Sequence, residues 1–107
     1  MSVSKSNLFS PEHSALADFA AVLSHPARIQ MILLLQQQGR LTCGELVKAL
    51  PLAQATVSQH LKILTEAGLL EGHSEGQRIY YELQCEALRN FCHTFQCTLG
   101  TQTPEKS

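Results

Sequence analysis

Between Gln54 and Lys62 the chain reads QATVSQHLK, and Gln54, Thr56, Ser58, Gln59, His60 and Lys62 all carry groups that can meet a nucleic acid. A glutamine amide can bond an adenine edge twice, a lysine can meet guanine or phosphate, and serine and threonine hydroxyls suit phosphate oxygens. Val57, Leu61 and Leu64 recur at helical spacing and define one buried face. The opposite face is then centred on Ala55, Gln59, Lys62 and Glu66, with Thr56 and Ser58 on its flanks. Gln59 and Lys62 are aimed outward. Gln54, in the first turn, can use both its amide and the free N–H groups of the helix start. His60 lies nearer the apolar edge, where a packing histidine and a DNA contact are both open readings. The bland alternative for the whole set is the solvated face of an amphipathic helix.

The second chemistry is thiol chemistry, at Cys43, Cys85, Cys92 and Cys97. No CxxC pair occurs and no secretory apolar segment precedes them, so reduced thiols in a cytosolic protein are expected. No nucleophile, base and orienting group can be matched to a site, and no phosphate-cradling glycine loop is present. Binding is expected, and an enzyme is not.

These side chains need a scaffold, and the pattern supplies one. Ser10-Pro11 places a cap and an N1 proline ahead of Leu16, Phe19, Ala20 and Leu23, predicting a first helix. His25-Pro26 opens a second, apolar nearly all round through Ile29 and Met31 to Leu35, ended by Gly39 and expected at the centre of the core. Thr42-Cys43-Gly44-Glu45 fits a capping box for a short third helix that ends near Leu50-Pro51. A turn of two or three residues then leads into the QATVSQHLK helix, closed by Gly68, which makes a helix-turn-helix. Leu70 to His73, a turn at SEGQ, and Arg78 to Leu83 predict a two-stranded hairpin. Leu88, Phe91, Cys92, Phe95 and Leu99 predict a last helix. The fold class is mainly α with a β-hairpin wing, a winged helix-turn-helix in the order ααααββα.

The totals agree with one small domain. The 107 residues are 44% hydrophobic and 16% charged, too few to divide into two cores. The expected division is a flexible tail over 1–9, the winged helix-turn-helix over 10–99, and a second flexible tail over 100–107. The apolar run MILLL, Met31 to Leu35, is far shorter than the roughly 20 residues of a membrane span. The formal net charge of −1 raises a question about any polyanion partner. Lys62, the hydroxyls, the helix-start amides, the wing residue Arg78 and duplication in a dimer must together supply the affinity.

The segment RLTCGELVKALPLAQATVSQHLKILTEAGLLEGHSEGQRIYYEL, with the upstream LSHPARIQMILLL, resembles the ArsR/SmtB family of small bacterial winged-helix repressors. The likeness runs from about Leu16 to Phe95. It implies a cytoplasmic homodimer built through the first and last helices. Such a dimer binds an inverted-repeat operator in double-stranded DNA and releases it when a metal, metalloid or oxidant is sensed. Two departures matter. Ala53 and Ala55 stand where the family commonly has serine, which removes an N-cap hydroxyl worth about 1 kcal/mol and one phosphate-contacting group. The near-neutral charge and these alanines leave a second reading, a winged-helix protein-interaction module without DNA binding.

The family's known sensor sites are not carried over. The arsenic-sensing branch has two cysteines flanking one residue just before D/E-L, and the matching Thr42-Cys43-Gly44 has lost both, with Cys43 between them. The zinc-sensing positions correspond to Cys85, Ala87, Thr98 and Thr101, and no set of four tetrahedral ligands is visible. The candidate effector or redox residues that remain are Cys85, Cys92, His93 and Cys97, for a metal ion or a thiol-based effector. Cys92 shares the face of Leu88 and Phe91 and is expected to be buried at the dimer seam. Cys97 lies about 140° around the helix from Cys92, whereas His93 and Cys97 share a flank. A site would join His93 and Cys97 to ligands from the partner chain, with His13 as one candidate; a thiol switch would use Cys85 or Cys92.

Overall fold

The computed structural model describes residues 8–100, so most of the two expected tails, 1–7 and 101–107, lies outside the described residues. Ser10 caps α1 (Pro11–Val22) by accepting from the His13 amide, and His25 caps α2 (Pro26–Gln38) by accepting from the Ala27 amide; proline follows each cap. Gly39, at φ +91°, ends α2 in the left-handed region that glycine tolerates. Thr42 and Glu45 form the full capping box of α3 (Cys43–Ala49), each side chain accepting from the other's amide. After a short turn comes α4 (Gln54–Glu66), closed by Ala67 and Gly68.

The wing is β2 (Leu70–Glu75) and β3 (Arg78–Leu83), and α5 (Cys85–Leu99) follows it. The expected ααααββα order is present, with one addition. Arg40–Thr42 forms β1, a third strand in a sheet of order β1-β3-β2 that pairs Leu41 with Tyr81 and Thr42 with Tyr80. This strand ties the start of the helix-turn-helix to the wing. The hairpin turn is also tighter than SEGQ. Glu75 pairs with Arg78, leaving Gly76 and Gln77 as the loop, with Gly76 at φ +64°.

The core is built by Met31, Ile32 and Leu35 of α2, Leu46 of α3, Val57, Leu61 and Leu64 of α4, and Leu69, Leu70 and Leu83 around the wing. These side chains, buried at about 25 cal/mol per Å² of apolar surface, fix α4 by its inner face. Two outer features depart from expectation. The second helix is not buried all round, because Ile29 and Leu33 are 39% and 48% exposed on a side that no described element covers. No α5 side chain is buried: Phe91 packs on Phe19 of α1 at 4.9 Å between ring centroids, while Phe95 and Leu99 stay 45% and 63% exposed.

Candidate nucleic-acid interface

Ala53 occupies the N-cap of α4 with extended backbone, φ −70° and ψ 155°, and makes no side-chain cap bond. The first amides of α4 therefore keep the free N–H groups that attract anions at helix starts. Gln54, Thr56, Ser58, Gln59 and Lys62 are all exposed, and Val57, Leu61 and Leu64 are buried beneath them. Ser58 also touches α3, its Oγ lying 3.6 Å from the Cys43 sulfur. The outward face expected of this helix is thus free in the folded chain.

His60 requires a correction. It is only 5% exposed and belongs to the interior rather than to the face of Gln59 and Lys62. Arg28 Nε donates to His60 Nδ1 at 3.1 Å, and Arg28 Nη1 donates to the Val22 carbonyl at 2.9 Å. The His25 ring packs against His60 at 4.6 Å between centroids, tilted by 59°. One guanidinium thus ties α4 to the corner between α1 and α2. Burial, then the neighbouring His25 and Arg28, pushes the His60 pKa below its ordinary 6.5. Since Nδ1 accepts, the ring is neutral with its proton on Nε2, an atom that is buried without a partner among the described residues. Its role is to position the helix.

Arg78 is exposed at the start of β3 and lines an open groove of about 540 Å³ between the wing and the start of α3. The same groove holds Cys43, Lys48 and Gln77, and Cys43 in turn contacts Ser58 of α4. A continuous surface therefore runs from the reading helix across α3 to the wing tip. Lys48 and Gln77 were not singled out by sequence, because only the packing of α3 against the hairpin brings them beside Arg78.

Charge in the domain is sorted by pairing. Arg40 Nη2 meets Glu75 Oε2 at 2.5 Å and stacks over Tyr80, His73 lies 3.2 Å from Glu82, and Arg89 lies 3.5 Å from Glu86. Among the described residues, Lys48, Lys62 and Arg78 have no carboxylate within ion-pair distance. Glu45 also lines the groove, but its Oε1 is held by the Thr42 amide at 2.9 Å.

The sensor candidates are scattered. Cys85, Cys92 and Cys97 are exposed and Cys43 half-buried; Cys92, expected to be buried, is open in the single chain because nothing in it covers that edge of α5. His93 Nε2 and the Cys97 sulfur are brought to 3.5 Å. His13 instead lines a hollow of about 400 Å³ with Leu16, Ala20, Phe95 and Leu99. Among the described residues, no group of three or more His, Cys, Asp or Glu side chains is placed to hold a metal ion.

The helix-turn-helix domain family matches residues 23–73. The arsenic resistance transcriptional regulator ArsR1 of Pseudomonas putida is 42% identical over 64 residues, 60% of this chain and 50% of that protein, so the chain spans about half the length of that relative. The biofilm growth-associated repressor of Xylella fastidiosa is 33% identical over 90 residues, 81% of this chain and 78% of that one. Among solved structures, a possible transcriptional regulator for arsenical resistance is similar with a TM-score of 0.69 at 32% identity, covering 75% of this chain and 82% of that one.

Proposed function

The chain belongs to the ArsR/SmtB family of winged helix-turn-helix regulators, and from that premise we propose that it is a sequence-specific DNA-binding transcriptional repressor. The observation that carries this reading is the continuous surface of Gln54, Thr56, Ser58, Gln59 and Lys62 on α4, extended by the unpaired Lys48 and Arg78. In it, Gln59 reads a base edge in the major groove. Lys62 meets guanine or phosphate, and Thr56, Ser58 and the α4 amides hold phosphates. Lys48, Gln77 and Arg78 follow the backbone at the wing.

The functional unit is a homodimer through α1 and α5. The reading is supported by the exposed Phe95 and Leu99 and by the apolar hollow between these helices. It acts in the cytoplasm; no helix among the described residues is long and apolar enough to cross a membrane. Release from the operator follows an effector, a metal ion or a thiol-reactive species, with Cys85, Cys92, His93 and Cys97 as the residues available to it. The relatives' names support the metal reading, and the exposed thiols support the second.

Selection from random duplexes tests the core of this reading. It is expected to enrich an inverted repeat with half-sites about one helical turn, or a multiple of it, apart. Failure to enrich any two-fold sequence, with or without reductant, refutes it. A salt titration separates it from a protein-interaction module, since phosphate contacts give a steep log-log slope and a module without DNA binding gives none.

A further inference from the structure

Val57, Leu61 and Leu64 hold α4 in the core by its inner face. Apolar burial is non-directional, so the angle at which Gln59 and Lys62 leave the surface depends also on the directional bonds the helix makes. Among the described residues its side chains make two to other elements, Ser58 to Cys43 and His60 to Arg28. The first is a weak sulfur contact at 3.6 Å. The second is charge-assisted, 3.1 Å from Arg28 Nε to His60 Nδ1, and its acceptor directly follows Gln59 in the chain.

Arg28 makes this bond with one edge of a planar group whose other edge is already engaged. Its Nη1 donates at 2.9 Å to the carbonyl of Val22, in the last turn of α1, where carbonyls lack partners within the helix. The bond to His60 exists in one protonation state only. A guanidinium donates and never accepts, so Nδ1 must keep its lone pair while the ring proton stays on Nε2, buried without a partner among the described residues. An imidazolium would set two donors and two cations against each other. The charged or titratable groups acting on the ring are His25 and Arg28, both at the start of α2; α1 adds the Val22 carbonyl, and no carboxylate of a described element acts on it. Burial first, then His25 and Arg28, holds the His60 pKa below 6.5. The bond is therefore whole above that value and is lost as pH falls through the folded value.

Resting on the operator-binding function proposed above, we propose that Arg28 is a positioning residue for operator reading: it latches α4 to the corner between α1 and α2 through neutral His60, and acid opens the latch by protonating that ring. With the latch open, α4 stays in the core but loses its fixed angle. A base-edge pair, whose hydrogen bonds weaken steeply off line, then fails before the phosphate contacts do. The sign is opposite to that of ordinary charge. His13, His25 and His93 are exposed, and the positive charge they gain in acid strengthens attraction to any duplex. Acid should thus raise affinity for unrelated DNA while lowering the preference for the operator.

The readout is the ratio of affinities for an operator selected from random duplexes and for a scrambled duplex of the same length. It is measured with the full-length protein from neutral pH down to the onset of acid unfolding, which far-UV circular dichroism marks. The native ratio is expected to fall about tenfold, within what one base-edge pair contributes. His60→Asn offers Arg28 an amide oxygen near the place of Nδ1 and takes up no proton, so its ratio is expected to lose the dependence on pH. Arg28→Met is expected to start about tenfold low at neutral pH, again one base-edge pair, and to stay flat. A native ratio that holds down to acid unfolding overturns the proposal. So does a fall that persists in His60→Asn, since other histidines would then cause it, or an Arg28→Met ratio equal to the native one. Should Arg28→Met fail to fold, the native protein and His60→Asn decide. Absence of any operator preference in the native protein at neutral pH refutes the DNA-binding reading instead, and the latch with it; a preference indifferent to pH and to Arg28 refutes the latch alone.

Discussion

Replacing Ala53 by serine isolates the defect at the start of the reading helix. Ala53 sits at φ −70° and ψ 155°, nearly the conformation of Ser10 at −65° and 147°, which caps α1. Thr42, which caps α3, is also close, at −84° and 164°. In both working caps the hydroxyl accepts from the amide three residues on, at 3.1 Å. A serine at 53 is therefore placed to accept from the Thr56 amide with no backbone adjustment. The site is exposed, so the added oxygen meets no packing cost. The expected gain is about 1 kcal/mol, within the roughly 0.5–2 kcal/mol range of N-cap exchanges, or about fivefold in the folding equilibrium. In a domain of this size that corresponds to a rise of about 4–8 °C in Tm. Urea unfolding at fixed protomer concentration measures it, with an unchanged m-value expected. An unchanged or lowered midpoint refutes the claim that α4 lacks only a hydroxyl, and with it the reasoning that its first amides stand free.

The other expectations concern recognition, proton linkage and assembly. Gln59→Ala should cost about 1–3 kcal/mol on the preferred operator and relax the preference at one position per half-site, whereas Arg78→Ala should weaken all duplexes alike and reduce the salt slope; identical specificity profiles for the two variants would reject these roles. Because the pKa of His60 is lowered on folding, the unfolded chain binds the extra proton first. Its contribution to stability is whole above the ordinary value of 6.5 and is lost as pH falls through the folded value, at no more than about 1.4 kcal/mol per pH unit. Thermal melts from neutral to acid pH should show this loss, and His60→Gln should flatten it whatever its own stability; equal slopes would contradict the linkage. Phe95→Asp should shift the protein from dimer to monomer in sedimentation and abolish half-site cooperativity, while an unshifted dimer would place the interface elsewhere.

The parts legible in sequence were those set by local chemistry. Ser10-Pro11, His25-Pro26 and the Thr42/Glu45 box act within one turn, so they mark helix starts without reference to the rest of the fold. The strand β1 was not legible. Three residues carry no period, and Arg40–Thr42 is a strand only because β3 lies beside it. Lys48 and Gln77 escaped for the same reason, since they meet Arg78 only across a tertiary groove. His60 did leave a signal. It stands about 60° from Val57 and about 40° from Leu64 on the helix, inside the apolar arc rather than at its rim. An angular count would have placed it under the reading face.

The low charge of the chain looks different once side chains are placed. Asp18 and Glu66 lie together where α1 meets the far end of α4, lining a hollow with Phe19 and Ile63. Glu75, Glu82 and Glu86 each have a basic neighbour within 4 Å, and Glu45 is held in its capping box. Arginines thus offset Glu75 and Glu86, whereas Glu66 stands one helical turn beyond Lys62 and Glu45 shares the groove of Lys48 and Arg78. A net charge of −1 counts all of them equally, but a phosphate strand senses mainly charges within a Debye length of about 10 Å. Among the described residues, the three cations Lys48, Lys62 and Arg78, doubled in the proposed dimer, are expected to give a moderate salt dependence. Sequence preference must then come from the neutral groups of Gln59, Thr56 and Ser58. The poverty of charge on α4 therefore favours discrimination between sites over retention on non-specific DNA.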